Sequence, residues 1–140
     1  EPLFTETQQL YCSRSHSLFG AKIVKIAELR EEGFVLTGAD EVETITRLRQ
    51  RYRLGTVING LAEDIHEAMR LIILGTGIGF LPVMAAGDAV KRGQLWPLLP
   101  DDLAPSYEMY LLARRTQLRG TPAQLFLDEI IRRLRAKPRS

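Results

Sequence analysis

One stretch, residues 64–82 (DIHEAMRLIILGTGIGFLP), constrains the fold of this chain most. Its first half has apolar residues at helical spacing, and Asp64 with Glu67 three positions later forms a capping-box pattern. Gly75 can adopt the left-handed conformation that ends many helices. Residues 78–81 are a short apolar run closed by proline, which is typical of a buried strand. The stretch therefore predicts a helix, a glycine turn and a core strand.

The last turn of this helix has no polar side, since residues 71–74 are all apolar. One sheet can cover only one side of such a helix. In one interpretation the helix lies entirely in the core of its own chain. In the other it offers a second surface to a partner subunit, because a large exposed apolar patch usually marks an interface.

The glycines Gly75, Gly77 and Gly79 do not form a nucleotide-binding fingerprint. That fingerprint follows a strand and precedes a helix, so that the helix N-terminus meets the pyrophosphate. Here the glycines follow a helix and precede a strand, and a phosphate would face the negative end of the helix dipole. We therefore reject a dinucleotide site.

Composition bounds the class of protein. A length of 140 residues fits one domain, and a net charge of +2 does not argue for nucleic acid as a partner of this segment. The single cysteine, Cys12, excludes an internal disulfide and fits a reducing compartment. The sequence has no run of 18 apolar residues, so no membrane span is predicted. The first residues read as the middle of a longer sequence, so we expect a fragment.

Strands and helices alternate along the chain. Strands are predicted at residues 10–13, 34–37, 56–58, 78–81, 95–99 and 107–113. Helices are predicted near residues 23–29, from Asp40 (capped with Glu43) to Gly55, at 65–74, at 83–90 and from Thr121 to 134; turns are predicted at 14–17, 38–39 and 59–60. This order predicts an α/β domain whose sheet is covered on both faces.

The sequence offers no catalytic residue, metal site or cofactor site. Cys12, His16 and His66 do not form a metal-binding pattern, and we expect Cys12 to be a buried thiol and His66 to be solvated. There is no GxSxG motif and no argument for an acid–base pair. A first group of basic residues is scattered around its helix by its i, i+2 spacing and makes no single stripe: Arg47, Arg49, Arg51 and Arg53. A second group forms a basic tail that is attributed to helix capping and solubility, with phosphate contact as the alternative: Arg132, Arg133, Arg135, Lys137 and Arg139.

Residues 37–40 have the features of a ligand-binding turn. In open α/β sheets, ligands bind beyond the C-terminal ends of strands, often at helix N-termini. The backbone N–H groups here and the Thr37 hydroxyl could hold a carboxylate or similar anion, although Asp40 and Glu41 would oppose a strongly anionic ligand. A plain strand–helix turn is the alternative.

Four motifs in register resemble the effector-binding region of LysR-type bacterial transcriptional regulators. They are the run ending GTGIGFLP at Pro82; residues 14–18 (RSHSL), similar to the family's "xxHPL" crossover with Ser17 where proline is usual; residues 93–100 (GQLWPLLP), similar to its "G.LxxLP" strand; and residues 110–114 (YLLAR) with 121–134, similar to its last strand and closing helix. The resemblance covers nearly the whole chain.

The resemblance implies an α/β effector domain with a type II periplasmic-binding-protein-like fold, in which two lobes enclose a ligand cleft. This chain would carry the second lobe, about residues 10–114, with a mixed sheet flanked by helices. It would also carry the closing helix, about residues 121–136, which in the family belongs to the first lobe. Most of the first lobe and the DNA-contacting N-terminal domain would be missing, so we expect the closing helix to dock elsewhere, for example on a neighbouring copy.

By the same resemblance, seven residues would form the second lobe's side of the effector cleft: Thr37, Gly38, Ala39, Asp40, Glu41, Val42 and Glu43. Six others would meet the first lobe of a partner subunit in an antiparallel dimer: Ile65, Met69, Ile72, Ile73, Ile78 and Phe80. A homodimer or homotetramer is implied.

The implied function is a cytoplasmic, non-enzymatic sensor domain. It would bind a small-molecule effector and shift the regulator's DNA binding and transcription by changing the populations of its arrangements. DNA would be contacted only through the missing domain, and no cofactor, metal or membrane is expected. The alternative is a stand-alone solute-binding protein or an enzyme on the same scaffold, since fold does not fix function.

Overall fold

The computed structural model of the protein describes residues 2–22, 24–38, 41–112 and 121–136. The chain divides into two compact units: a larger unit, Glu6–Tyr107, and a smaller unit of residues 1–5 and 108–140. The strands are β1 (Pro2–Ser13), β2 (Gly33–Leu36), β3 (Val57–Leu61), β4 (Gly79–Pro82), β5 (Leu95–Pro97) and β6 (Ser106–Tyr110). The helices are α1 (Glu43–Tyr52), α2 (Ile65–Ile73), α3 (Val83–Lys91) and α4 (Pro122–Ala136), and short 3₁₀ turns cover Ile26–Leu29 and Asp101–Leu103.

Strand β1 is the centre of the antiparallel part of the sheet. It pairs with β4 on one side, where Leu10 lies opposite Phe80, and with β5 on the other, where Cys12 lies opposite Trp96. Strand β6 also pairs with β1.

Strands β2, β3 and β4 run in one direction. β2 and β3 form a parallel pair with a bulge between Phe34 and Val35. A parallel bridge joins Phe34 to Ile78, just before β4, where the Val35 N–H donates to the Ile78 carbonyl at 2.8 Å and the Ile78 N–H donates to the Gly33 carbonyl at 2.9 Å. The C-terminal ends of these three strands therefore meet at one edge, and each strand is followed by a helix.

An apolar core lies on each face of the sheet, because successive side chains of a strand point to opposite faces. One core cluster contains Leu10, Phe34 and Ile78 and includes Ile45 of α1. The other contains Tyr11, Val35 and Leu81 and includes Ile72 of α2 and Ala86 of α3. The predicted coverage of both faces is confirmed.

Helix α2 begins and ends as the sequence predicts. Oδ1 of Asp64 accepts the Glu67 N–H at 2.8 Å, and Oε2 of Glu67 accepts the Glu63 N–H at 2.7 Å. Gly75 follows with φ +84°. All of β4 is buried. The helix, glycine turn and core strand are confirmed.

The other glycines of this stretch allow close packing. A Cβ at Gly77 would lie 2.4 Å from the Gly33 carbonyl oxygen, and a Cβ at Gly79 would lie 2.7 Å from Cδ1 of Ile72 and 2.9 Å from the Val35 carbonyl oxygen. These glycines let a neighbouring strand and helix α2 approach the backbone, which accounts for them without a phosphate.

The predicted cap of α1 is wrong. Val42 is the N-cap and has no side-chain cap bond, and Glu43 is the first helical residue. The Glu43 carboxylate pairs instead with Arg47 one turn later, because residues four apart on a helix are neighbours. Asp40 lies outside the described residues.

The predicted turn at residues 59–60 is also wrong. Asn59 and Gly60 lie inside β3, where Gly60 pairs with Val35. The Asn59 side chain donates to the Thr76 carbonyl at 2.9 Å, and the bulge in the ladder accommodates the irregularity. The strand therefore continues to Leu61.

Other element limits shift. β1 starts well before residue 10. Residues 26–29 form only a 3₁₀ turn instead of the predicted helix, and Gly33 begins β2. β6 ends at Tyr110, and Ala113 lies outside the described residues. No helix in the described ranges is long and apolar enough to cross a membrane.

Three of the predicted interface side chains belong to the core. Ile72 and Ile78 are fully buried and Phe80 is 9% exposed, all within the larger unit. They cannot form a subunit surface, because sheet and helix from the same chain cover them. Ile65, Met69 and Ile73 are half-buried against the second core cluster.

Candidate functional site

A cavity of about 350 Å³ lies at the edge of the larger unit where β2 and β3 end. We call it the strand-end cavity. Six apolar and six polar side chains line it: Val35, Leu36, Val42, Ile45, Ile65 and Phe80; and Gln8, Thr37, Glu41, Asp64, His66 and Tyr107. A concave, mainly apolar site with a few convergent polar groups is the usual form of a small-molecule site.

Two strand–helix turns supply most of the polar groups. Residues after β2 lead into α1, and residues after β3 lead into α2. The first turn of α1 has no side-chain cap, whereas Asp64 caps α2. The N-termini of α1 and α2 therefore both lie at the cavity. The Asp64 side chain accepts one of the free N–H groups of α2, whereas no side chain caps α1.

Glu41 is held in place by Arg49. Nη1 of Arg49 donates to both carboxylate oxygens of Glu41 at 2.7 Å, and the Thr46 hydroxyl donates to Oε2 at 2.8 Å. Nη2 of Arg49 donates to the Gly55 carbonyl at 3.4 Å. Both charged side chains are mostly buried. This pair attaches the β2–α1 turn to the C-terminal end of α1 and fixes the Glu41 carboxylate.

Tyr107 forms a polar group in the cavity wall. Its hydroxyl donates to Oε2 of Glu6 at 2.5 Å and accepts from Nε2 of Gln8 at 3.4 Å. Burial, and next the bond to Glu6, raises the pKa of Tyr107 to about 12. The phenol therefore stays protonated at neutral pH.

The strand-end cavity has acidic side chains in its wall. Asp64 and Glu41 line it, and no Lys or Arg does so among the described residues. The Glu67 backbone N–H, as the largest cause, lowers the pKa of Asp64, so Asp64 is ionised at neutral pH. Within the described ranges, no group of three or more His, Cys, Asp or Glu side chains could hold a metal ion.

The structure brings only part of the predicted effector-binding segment to the cavity. Thr37, Glu41 and Val42 line it. Gly38 (φ +62°) is exposed and Glu43 pairs with Arg47 at the surface; neither belongs to the lining. The positions Ala39 and Asp40 lie outside the described residues.

The turn after β3 contributes residues to the site that were not predicted from the sequence. Asp64 and His66 follow a parallel strand just as residues 37–40 do, and the same rule would have placed them at the site. The Asn59-Gly60 pair hides this signal, because it predicts a turn that would end the strand too early. Ile65 and Phe80, which the resemblance assigned to a subunit interface, also belong to the cavity lining.

Cys12 lies outside the cavity lining. It is fully buried, as expected, and burial raises its pKa to about 11. His66 is exposed at the start of α2, also as expected.

A family match covers almost the entire chain. The family described as the LysR substrate binding domain matches residues 1–135. The HTH-type transcriptional activator BauR of Pseudomonas aeruginosa is 30% identical over an alignment of 138 positions, which covers 92% of this chain and 42% of BauR. The chain thus spans less than half the length of this curated relative.

Solved structures share the fold at low identity. The CcmR regulatory domain of Synechocystis PCC6803, in complex with 2-PG, has a TM-score of 0.76 at 19% identity and matches 99% of this chain and 68% of its own. The bromide-bound regulatory domain of HypT from Salmonella typhimurium has a TM-score of 0.70 at 17% identity over 98% of this chain and 65% of its own. The effector binding domain of QuiR, in complex with shikimate, has a TM-score of 0.75 at 13% identity over 96% of this chain and 64% of its own. The chain therefore has the α/β fold of effector-binding regulatory domains.

Proposed function

This chain belongs to the LysR substrate binding domain family, and from that premise we propose that it is the ligand-sensing part of a bacterial LysR-type transcriptional regulator. The strand-end cavity carries the proposal, because ligands of open α/β sheets bind beyond the C-terminal ends of the strands. The family is regulatory, so the alternative of an enzyme or a stand-alone solute-binding protein is not favoured.

We assign the larger unit to the second lobe of the effector domain. The effector would contact Thr37, Glu41 and Val42 from the β2–α1 turn, and Asp64 and Ile65 from the start of α2. A role for Ala39 and Asp40 stays a prediction. CcmR and QuiR bind 2-PG and shikimate, respectively, which supports a small molecule as the class of ligand here.

The mechanism would be a population shift. An effector changes an equilibrium between arrangements only by as much as its affinity for them differs. The regulator would act in the cytoplasm and contact DNA through a domain outside these 140 residues, as the HTH-type name of the longer relative BauR suggests.

We further propose that two copies associate through β3 and α2. Among the described residues, β3 has a strand partner on one side only, β2. Four large apolar side chains on β3 and at the end of α2 are exposed: Val57 (46%), Ile58 (53%), Leu61 (68%) and Leu74 (78%). With half-buried Met69 and Ile73, these replace the buried members of the predicted interface.

Ligand mapping tests the sensing role. We would add a set of small organic acids, amines and sugars to the ¹⁵N-labelled chain and follow its amide signals by NMR. At least one compound should shift the amides of Thr37, Glu41 and Ile65 together. Thr37→Val, which removes a hydroxyl from the cavity, should weaken that binding by roughly two- to tenfold, the range expected for one hydrogen bond.

Thr56→Val is the matched control, since Thr56 is exposed and lies outside the cavity lining. It should leave the affinity unchanged. If every compound that binds shifts amides elsewhere in the chain, or if none binds, the proposed sensing role is wrong.

A further inference from the structure

We propose that the strand-end cavity selects its ligand by charge and takes a molecule that directs a protonated amine on an apolar stem towards Asp64 and Glu41. This inference rests on the proposed function and names the ligand class of the same site. It reverses the preference for a carboxylate that residues 37–40 suggested.

The charges around the cavity favour a cation. Asp64 and Glu41 belong to the lining, and Glu6 lies directly behind Tyr107. Against these three carboxylates stand two guanidinium groups outside the lining: Arg49 directs Nη1 to Glu41 and Nη2 to Gly55, and Arg70 on α2 interacts with Asp64 through its charge, as does the lining residue His66. A ligand carboxylate placed beside Asp64 would meet a like charge without a side-chain cation among the described lining residues.

The helix N-termini do not overcome this charge. A helix N-terminus is equivalent to about half an elementary positive charge, so two termini offer about one. At α2 the carboxylate of Asp64 already accepts the Glu67 N–H. The net balance at the start of α2 is therefore negative, and that is the position where we place the amine.

The apolar walls of the cavity favour an amine that has an apolar stem. Ile45, Ile65 and Phe80 are among six apolar side chains of the lining. They can cover an alkyl stem. The Asp64 carboxylate itself is exposed, so its attraction for an ammonium group is partly screened by water. A mainly apolar amine therefore fits both the shape and the charge of the site.

Three probes of equal length separate charge from apolar burial. We would titrate the chain with pentylamine, pentanamide and pentanoate and record amide shifts of the cavity residues by NMR at neutral pH. Pentylamine should bind at the cavity more tightly than pentanamide, and pentanoate should bind most weakly. Asp64→Asn should weaken pentylamine binding by about three- to fivefold, the scale of one partly screened charge pair, and leave pentanamide binding unchanged.

Asp64→Asn suits this test because asparagine is as good an N-cap as aspartate. Asp88→Asn is the control, since Asp88 is an exposed carboxylate of α3 outside the lining; it should not change any of the three affinities. Equal or tighter binding of pentanoate or pentanamide, no binding of pentylamine, or an unchanged affinity in Asp64→Asn would overturn the inference. The sensing role would still stand if an acid or a sugar from the larger compound set shifted the cavity amides.

Discussion

Among single residues, Gln9 shows how a polar side chain is accommodated in the core. It is 5% exposed, in the middle of β1. Its Oε1 accepts the Leu10 N–H at 2.8 Å and the Leu99 N–H at 3.0 Å, and its Nε2 donates to the Leu99 carbonyl at 2.9 Å. The Gln9 side chain thus forms hydrogen bonds with the N–H and the carbonyl of Leu99, which lies beyond the end of β5.

Replacing this amide should destabilise the fold. Gln9→Leu would leave the buried N–H and carbonyl of Leu99 without the Gln9 partner, and each unsatisfied group costs about 1–3 kcal/mol. We expect the free energy of unfolding, measured by urea denaturation, to fall by about 2–4 kcal/mol.

The matched variant Gln94→Leu should have little effect, because the Gln94 side chain accepts one hydrogen bond, from the exposed side chain of Arg92, within the part of the chain that the structure describes. If both variants unfold at the same urea concentration as the original chain, the Gln9 bonds do not contribute to stability.

At the scale of elements, the glycines between α2 and β4 set the distance between the parallel strands. A Cβ at Gly77 would meet backbone, the Gly33 carbonyl oxygen, at 2.4 Å. Because backbone cannot move aside as a flexible side chain can, Gly77→Ala should destabilise the chain by about 1–3 kcal/mol.

Gly87→Ala provides the opposite expectation in the same experiment. Gly87 lies inside α3, and a Cβ there would meet nothing within 4 Å. Alanine is the better helix former by about 1 kcal/mol, so this variant should be more stable. Thermal unfolding of both variants measures the contrast, and a Gly77→Ala chain as stable as Gly87→Ala would contradict the close approach.

Elements with strong local signals could be predicted from the sequence. The Asp64–Glu67 capping box and the turn at Gly75 define α2, and the pattern from Thr121 predicts α4, which begins at Pro122. The signal at residues 59–60 failed because an Asn-Gly pair favours a turn only where no partner strand holds it extended. The bulged pairing with β2 is a long-range contact that no local pattern contains.

The same limit applies to the candidate site. Thr37, Glu41 and Val42 could be predicted because they follow a clear strand. Gln8 and Tyr107 come from two strands about 100 residues apart in the chain, and only the folded structure brings them together. Their types, an amide and a phenol, carry no signal of a site in the sequence.

At the scale of the whole molecule, the exposed apolar side chains on β3 and at the end of α2 predict that copies of the chain associate. Ile58→Lys places a charge on β3, one edge of which has no strand partner among the described residues, and lysine on an edge strand opposes pairing between chains. If β3 and α2 form the contact between copies, this variant should shift the chain towards monomer in sedimentation-velocity experiments.

Met84→Lys is the control, because Met84 is equally apolar, 75% exposed and located on α3 instead. It should leave the association unchanged. A stronger effect of Met84→Lys than of Ile58→Lys would move the contact between copies to α3.

The central position of β1 in the sheet also has a consequence for folding on the ribosome. Its partners β4 and β5 follow roughly 70 to 85 residues later in the chain, and synthesis adds about 5–20 residues per second. For several seconds, the nascent chain therefore holds strand β1 before its partners β4 and β5 have been made. Pairings of such long range form late and slowly, so correct assembly of the sheet requires that β1 avoids wrong pairings until these later strands have been synthesised.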